Sequence, residues 1–213
     1  MYIPKFNAED SPAEMHAMMR AHPLATLVTL HPSGLFASHI PMVLHAEDAE
    51  TGVLRGHLAR ANAQWRDFDS GVEALAIFTG PDHYISPSWY PTKAENHRSV
   101  PTWNYIAVHA YGTLRLTEDA AWLRSHLASL TQLHEQQFAA PWTMEDAPSD
   151  YIDAMIRGIV GVELPISRIE GKWKLSQNRK ARDREGVVAG LDALATPEGN
   201  AMSTKMSEEM LKP

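Results

Sequence analysis

Between residues 53 and 68 the hydrophobic pattern of the chain changes period. Leu54, Gly56 and Leu58 alternate with Arg55, His57 and Ala59 over 53–59, the repeat of a strand with one face toward a core. Trp65 and Phe68 then lie three residues apart, which places them on one face of a short helix expected over residues 61–68. Arg60 and Asn62 sit at the junction. A strand-to-helix turn there would gather free N–H groups, the positive end of a helix dipole and a guanidinium, a set suited to an anion such as a phosphate. A solvated Arg at a strand end followed by an Asn cap would share the same residues.

The flanking segments read as follows. Ser11-Pro12-Ala13-Glu14 starts a helix, with a capping hydroxyl, a proline in the first turn and a capping-box glutamate. Met15, Met18, Met19 and Leu24 are assigned to a core, and the helix ends by His22-Pro23. Strands are expected over 24–30 and 35–45, joined by the turn His31-Pro32-Ser33-Gly34. In the second strand Phe36, Ile40, Met42 and Leu44 share a face opposite His39, Pro41 and His45. A nearly continuous apolar strand spans 72–79, Gly80-Pro81-Asp82 breaks it, and 83–86 stays extended. A Pro- and aromatic-rich loop, 87–101, precedes what reads as the longest strand, 102–116. There Ile106, Val108, Ala110, Leu114 and Leu116 face a core. Trp103, Tyr105, His109 and Tyr111 face the other way, and rings with polar tips suit a face covered by a partner subunit, a ligand or a helix of the same chain.

Helices are expected over 118–138, where Leu123, Leu127, Leu130 and Leu133 form a stripe, and over 151–157 and 182–194. Between the last two, 158–169 is extended, Glu170-Gly171 reads as a tight turn, and 172–175 pairs back as a hairpin. Beyond Ala195 no apolar stripe is sustained, so 1–195 reads as one domain and 196–213 as a polar C-terminal tail. About seven strands, mostly hairpin-connected with helices inserted, point to a mainly β (α+β) fold: an antiparallel barrel with peripheral helices, not a doubly wound parallel sheet.

Composition narrows the chemistry. The 213 residues include no Cys, which removes disulfides, thiolate metal sites and thiol redox. No apolar run approaches the ~20 residues of a membrane span, and the N-terminus lacks signal architecture, so a cytoplasmic protein is expected. A net charge of −7 disfavours a dedicated nucleic-acid binder. The richest basic run, 172–184, holds six basic residues and one acid, and direct DNA binding through it is doubtful. There is no Gly-x-Ser-x-Gly elbow, Walker loop or Gly-x-Gly-x-x-Gly. The eleven His do not fall at metal-ligand spacing, and no metal is expected. What remains is Arg60 and Asn62, the aromatics Trp89, Tyr90, Trp103 and Tyr105, and Lys93 between them. A planar heteroaromatic ligand carrying a phosphate fits this set, its ring against a strand edge such as Ser38-His39-Ile40.

Four blocks carry a family resemblance: Gly56-His57-Leu58-Ala59-Arg60-Ala61-Asn62, Tyr84-Ile85-Ser86-Pro87-Ser88-Trp89-Tyr90, Val100-Pro101-Thr102-Trp103-Asn104-Tyr105 and Lys174-Leu175-Ser176-Gln177-Asn178-Arg179. In order across residues 1–195, they resemble the signature blocks of the PaiB family, FMN-binding negative transcriptional regulators with a split barrel similar to pyridoxamine phosphate oxidase. The resemblance implies FMN as cofactor and a homodimer with FMN at the subunit interface. It implies that Ser38, His39 and Ile40 pass along the flavin ring and that His57, Ala59, Arg60 and Asn62 form the phosphate and ribityl end. Trp89, Tyr90, Lys93, Trp103 and Gln177 would close the site, some from the neighbouring subunit. The Arg-Ala-Asn turn departs from the Arg-Lys pair of the oxidase. Two functions follow: an FMN-binding regulator, or a flavin-dependent oxidoreductase acting on a small molecule, with any regulatory effect indirect. A haem protein on the same barrel is a third reading with no specific motif. No catalytic residue is singled out, though His39, His57 or His109 could act as a base.

Overall fold

The computed structural model describes residues 1–212. Its elements run β1 (Ala8–Glu9), α1 (Pro12–Ala21), β2 (Leu24–His31), β3 (Gly34–Pro41), β4 (Val43–His45), β5 (Val53–Ala59), β6 (Ala74–Ile85), α2 (Lys93–Asn96), β7 (Thr102–Gly112), β8 (Arg115–Thr117), α3 (Ala120–Glu135), α4 (Ser149–Arg157), β9 (Ile159–Pro165), β10 (Arg168–Lys174), α5 (Ala181–Leu194) and α6 (Pro197–Met210). The fold is mixed α+β with two antiparallel sheets and peripheral helices, as the pattern of short strands implied. Among the described residues ten strands replace the expected seven: residues 8–9 add β1, and the segments expected over 35–45 and 102–116 each divide between the two sheets, at Met42 and at residues 113–114. No helix among the described residues is long and apolar enough to cross a membrane.

The chain forms two compact units, and β6, β7 and β10 run from one into the other. One unit comprises Met1–Met15, Thr79–Val108 and Glu170–Pro213. Here the strand order is β1-β10-β7-β6, with β1 paired antiparallel to β10. Glu170-Gly171 is not a turn. It lies inside β10, with Glu9 opposite Gly171. A Cβ on Gly171 would come within 2.8 Å of the Met15 sulfur and 2.9 Å of the Glu9 carbonyl, so the glycine permits close packing rather than a bend. Residues 80–82 likewise continue β6, which at 12 residues is longer than β7 at 11. The register of β2 on β6 covers Leu75–Ile77 and stops short of Pro81, whose missing N–H therefore breaks no bond of that ladder.

The expected tail is a helix. Thr196 caps α6 by accepting from the Gly199 N–H, Pro197 opens it, and Met202 and Met206 are fully buried as it packs on α5. Gly186 and Gly190 of α5 leave room for Trp89, since a Cβ on Gly190 would lie 2.4 Å from the indole.

The other unit comprises residues 16–78 and 109–169. β2 pairs with β3 along its whole length and with β6 on its other edge, leaving β3 as the last strand of its sheet. The second sheet has the order β4-β5-β9-β8. Leu54 and Leu58 of β5 and Val160, Val162 and Leu164 of β9 are buried on one face, in the alternation read from the sequence. Leu24 and Leu116, assigned to the core, are instead exposed. Leu24 opens β2, and Leu116 lies in the three-residue β8, the last strand of its sheet, where strand phase no longer guarantees cover.

α3 and α4 pack together and on β9, around Leu123, Ile152 and Ile156. The contact is close at Gly161, where an added Cβ would meet the Trp122 ring at 2.4 Å and the Thr117 methyl at 2.7 Å. Gly161→Ala is expected to cost about 1–3 kcal/mol in urea unfolding and to change the near-UV signal of Trp122. An unchanged midpoint and spectrum would contradict this packing.

Candidate functional site

The Arg60 corner differs from its expected form. In place of a helix over 61–68 there is one 3-10 turn, Ala63–Trp65, followed by extended Arg66. Asn62 caps it by accepting from the Gln64 N–H and donates its own amide to Ser38 Oγ at 2.8 Å. Gln64, fully buried, donates to the carbonyls of Leu27 and Phe36 and to Thr29 Oγ1. These bonds pull the chain onto β2 and β3 and preclude a helix, whose dipole is therefore absent. The Arg60 guanidinium donates to the carbonyls of Arg157 and Ile159 and pairs with Glu118 at 2.5 Å. An anion at Arg60 would have to displace a carboxylate that already neutralises it.

The corner thus brings Ser38 and Asn62 together. Ala59 and His39 are exposed and Ile40 is buried. His39 Nδ1 lies 3.0 Å from Thr26 Oγ1. Because β3 ends its sheet, its outer row of N–H and C=O groups has no strand partner among the described residues, and such an edge suits the alternating donors and acceptors of a planar heteroaromatic ring.

His57 faces α3. Its Nδ1 lies 3.2 Å from Nε2 of His126, and Trp122 stacks on the His126 ring with centroids 5.4 Å apart. His126 is buried, and its Nδ1 has no hydrogen-bond partner among the described residues. Burial, followed by the charges of His57, His45 and Arg55, pushes His126 down to about 4, and burial also lowers His57. The pair is therefore neutral near pH 7. The two residues are 69 apart in sequence, and nothing in the local pattern of α3 announces the contact.

In the other unit, Trp103 is 53% exposed and meets Tyr84, 43% exposed, edge to face at 6.1 Å. The β7 pattern implied a covered face; within the single chain Trp103 is exposed and Tyr105, His109 and Tyr111 are half-buried, while Asn104, Ile106 and Val108 point inward. Trp89 packs on α5, Tyr90 is buried under the Arg179 guanidinium, and Lys93 is exposed at the start of α2. Gln177 clamps its own turn, donating to the Trp173 carbonyl at 2.6 Å and accepting from the Leu175 N–H at 2.8 Å. Its side chain is thereby committed to holding the block rather than to a ligand.

Two signature blocks converge here. Lys174 donates to Thr102 Oγ1 at 2.6 Å and to the Trp103 carbonyl, and Ser176 donates to Asn104 Oδ1 at 3.1 Å. Asn104 in turn donates to the Met206 sulfur. Sequence reasoning singled out neither Asn104 nor Arg179, although both stood inside the quoted blocks.

Comparison with known proteins agrees with this architecture. The family model described as "Putative FMN-binding domain" matches residues 1–168. An uncharacterized protein of Emericella nidulans is 32% identical over 243 residues, covering 98% of this chain and 97% of that protein. Protease synthase and sporulation protein PAI 2 of Bacillus subtilis is 31% identical over 212 residues, covering 100% and 99%. Among solved structures, the flavocytochrome Anf3 of Azotobacter vinelandii superposes with a TM-score of 0.57 at 14% identity, over 86% of this chain and 78% of that one. The two-sheet arrangement matches the split-barrel architecture of flavin-binding folds. Matched over most of its length by the family model and end to end by its relatives, this chain belongs to the FMN-binding domain family, and FMN is its cofactor.

Proposed function

We propose that the protein is a flavin-dependent oxidoreductase acting on a small molecule rather than a repressor that reads DNA. The observation that carries this reading is the state of the basic run. Lys172 is buried, donates to the Tyr2 carbonyl and lies over the Tyr105 ring. Lys174 is tied to Thr102 and Trp103, Arg179 covers Tyr90, and Arg182 pairs with Glu95. A phosphate-tracking surface needs exposed cations free to release counterions, and most of these are built into the fold.

Bound FMN would supply the hydride and electron chemistry, while the protein supplies position and electrostatics. The open edge of β3 at Ser38, His39 and Ile40 suits the ring, with His57, Ala59, Arg60 and Asn62 beside it in sequence or bonding. Trp89, Tyr90, Lys93 and Trp103 belong to the reading as closing residues, with Gln177 holding the block beside them, and the exposed Tyr84–Trp103 pair supports a homodimer covering that face. A second copy is expected by size-exclusion chromatography with light scattering.

The functional test mixes purified protein with FMN and NADH or NADPH under anaerobic conditions, alongside gel shifts with promoter fragments at two salt concentrations. Bleaching of the flavin band without a salt-sensitive shift is expected. A salt-sensitive shift with no bleaching by either donor would overturn the enzyme reading in favour of the regulator.

A further inference from the structure

We propose that a cavity lined by Lys174 and Arg179 is a binding site for a phosphate-class oxyanion. The cavity has a volume of about 140 Å³ and is lined by Asn7, residues 100–102, Asn104, Lys174, Ser176, Asn178 and Arg179. It combines two cations with amide and hydroxyl donors and has no carboxylate in its wall. Neither Lys174 nor Arg179 forms an ion pair among the described residues. Arg60, by contrast, already holds Glu118. The volume falls below the ~300 Å³ at which pockets accept drug-sized rings, yet it has room for about four waters at ~30 Å³ each. It suits a compact headgroup and not a flavin ring.

The walls are pre-arranged. Asn104 is fully buried and held on both sides, by Ser176 at Oδ1 and by Met206 at Nδ2. Ser176 adopts a left-handed backbone with φ 65°, a conformation that is unfavourable for a non-glycine residue and persists only where its surroundings impose it. Burial, and then the neighbouring Lys172, hold the Lys174 ammonium below the usual lysine range. A bound anion would relieve that unbalanced charge. The chemistry is that of a phosphomonoester or free phosphate. It has two sources, the terminal phosphate of FMN or the phosphate of a separate small substrate.

The test uses the full chain without added cofactor, titrated with inorganic phosphate against sodium chloride of matched ionic strength and read by thermal shift and calorimetry. Saturable stabilisation by phosphate is expected. Asn178→Asp is the first variant, because Asn178 is exposed at the rim and the change adds a negative charge while leaving both cations in place. It should weaken phosphate binding about tenfold or more, from like-charge repulsion across a few ångströms. Arg179→Gln should weaken it as well. Competition between phosphate and FMN, with Asn178→Asp weakening FMN but not riboflavin, would identify the cofactor's phosphate as the occupant. Phosphate binding that leaves FMN affinity unchanged would identify a separate substrate. The phosphate arm stands even if the protein binds no FMN, so failure of the flavin reading is distinguishable. No saturable phosphate effect in the wild type, or one unchanged in both variants, would overturn the proposal.

Discussion

Deleting residues 196–213 should leave a chain that does not fold cooperatively. The polarity of this stretch suggests a dispensable tail, but α6 places Met202 and Met206 in the core with essentially no exposure. Each buried methionine is worth about 1.5–3 kcal/mol in apolar area alone. The deletion would also uncover the face of α5 that carries Val187 and Leu191. It would further strip Asn104 Nδ2 of its Met206 partner, and a buried donor left unpaired costs about 1–3 kcal/mol. Against a typical stability of about 5–15 kcal/mol, the summed loss is disabling. Met206→Ala is the graded version, expected to cost about 2–5 kcal/mol in urea unfolding. A truncated protein that melts cooperatively at the full-length temperature would show that α6 does not contribute to the core.

Acid should destabilise the protein through His126. Its value falls from 6.5 unfolded to about 4 folded. Between these pH values the unfolded chain therefore binds more protons than the folded one. The stability held by neutral His126 is complete above about pH 6.5 and is lost as the pH falls toward 4. The difference of 2.5 pKa units corresponds to about 3 kcal/mol. His57 and His45 are lowered as well, so their titration adds in the same direction. Carboxylates contribute their own acid sensitivity, and the informative quantity is the difference between wild type and His126→Gln. Urea midpoints taken from pH 8 to 4.5 should converge as the pH drops, because the variant lacks the titrating ring. Parallel curves would mean that His126 is free to protonate in the folded state.

The acid result bears on function through one sheet. Trp122 lies on Gly161 and on His126, and His126 holds His57 of β5. The residues read as a ligand end are thus backed by a neutral histidine pair of which His126 is buried and His57 half-buried. Protonating it places charge against Arg55, which is already bound to Asp48 and Glu163.

What the sequence determined by itself was local. Period-two alternation located β5 and the two faces of β7, and the Ser11 cap and the break at His22-Pro23 located helix ends. These signals act within a few residues, and no later contact could reverse them. The four blocks carried the family because each holds several residues whose joint occurrence is specific. Tertiary structure decided the rest. Gln64 and Asn62 turned the expected helix at 61–68 into a single 3-10 turn by reaching residues 24 to 37 positions away. Gly171 was read as a bend because a glycine shows only that a side chain is missing, and only Met15 and Glu9 show why. The burial of α6 depended on α5 and Asn104 offering a surface for scattered methionines, which form no stripe when viewed alone. The pairing of His57 with His126, and the meeting of Lys174 and Arg179 with Asn104, join segments tens of residues apart. No local pattern encodes such meetings, because they are fixed by where the sheets place each strand.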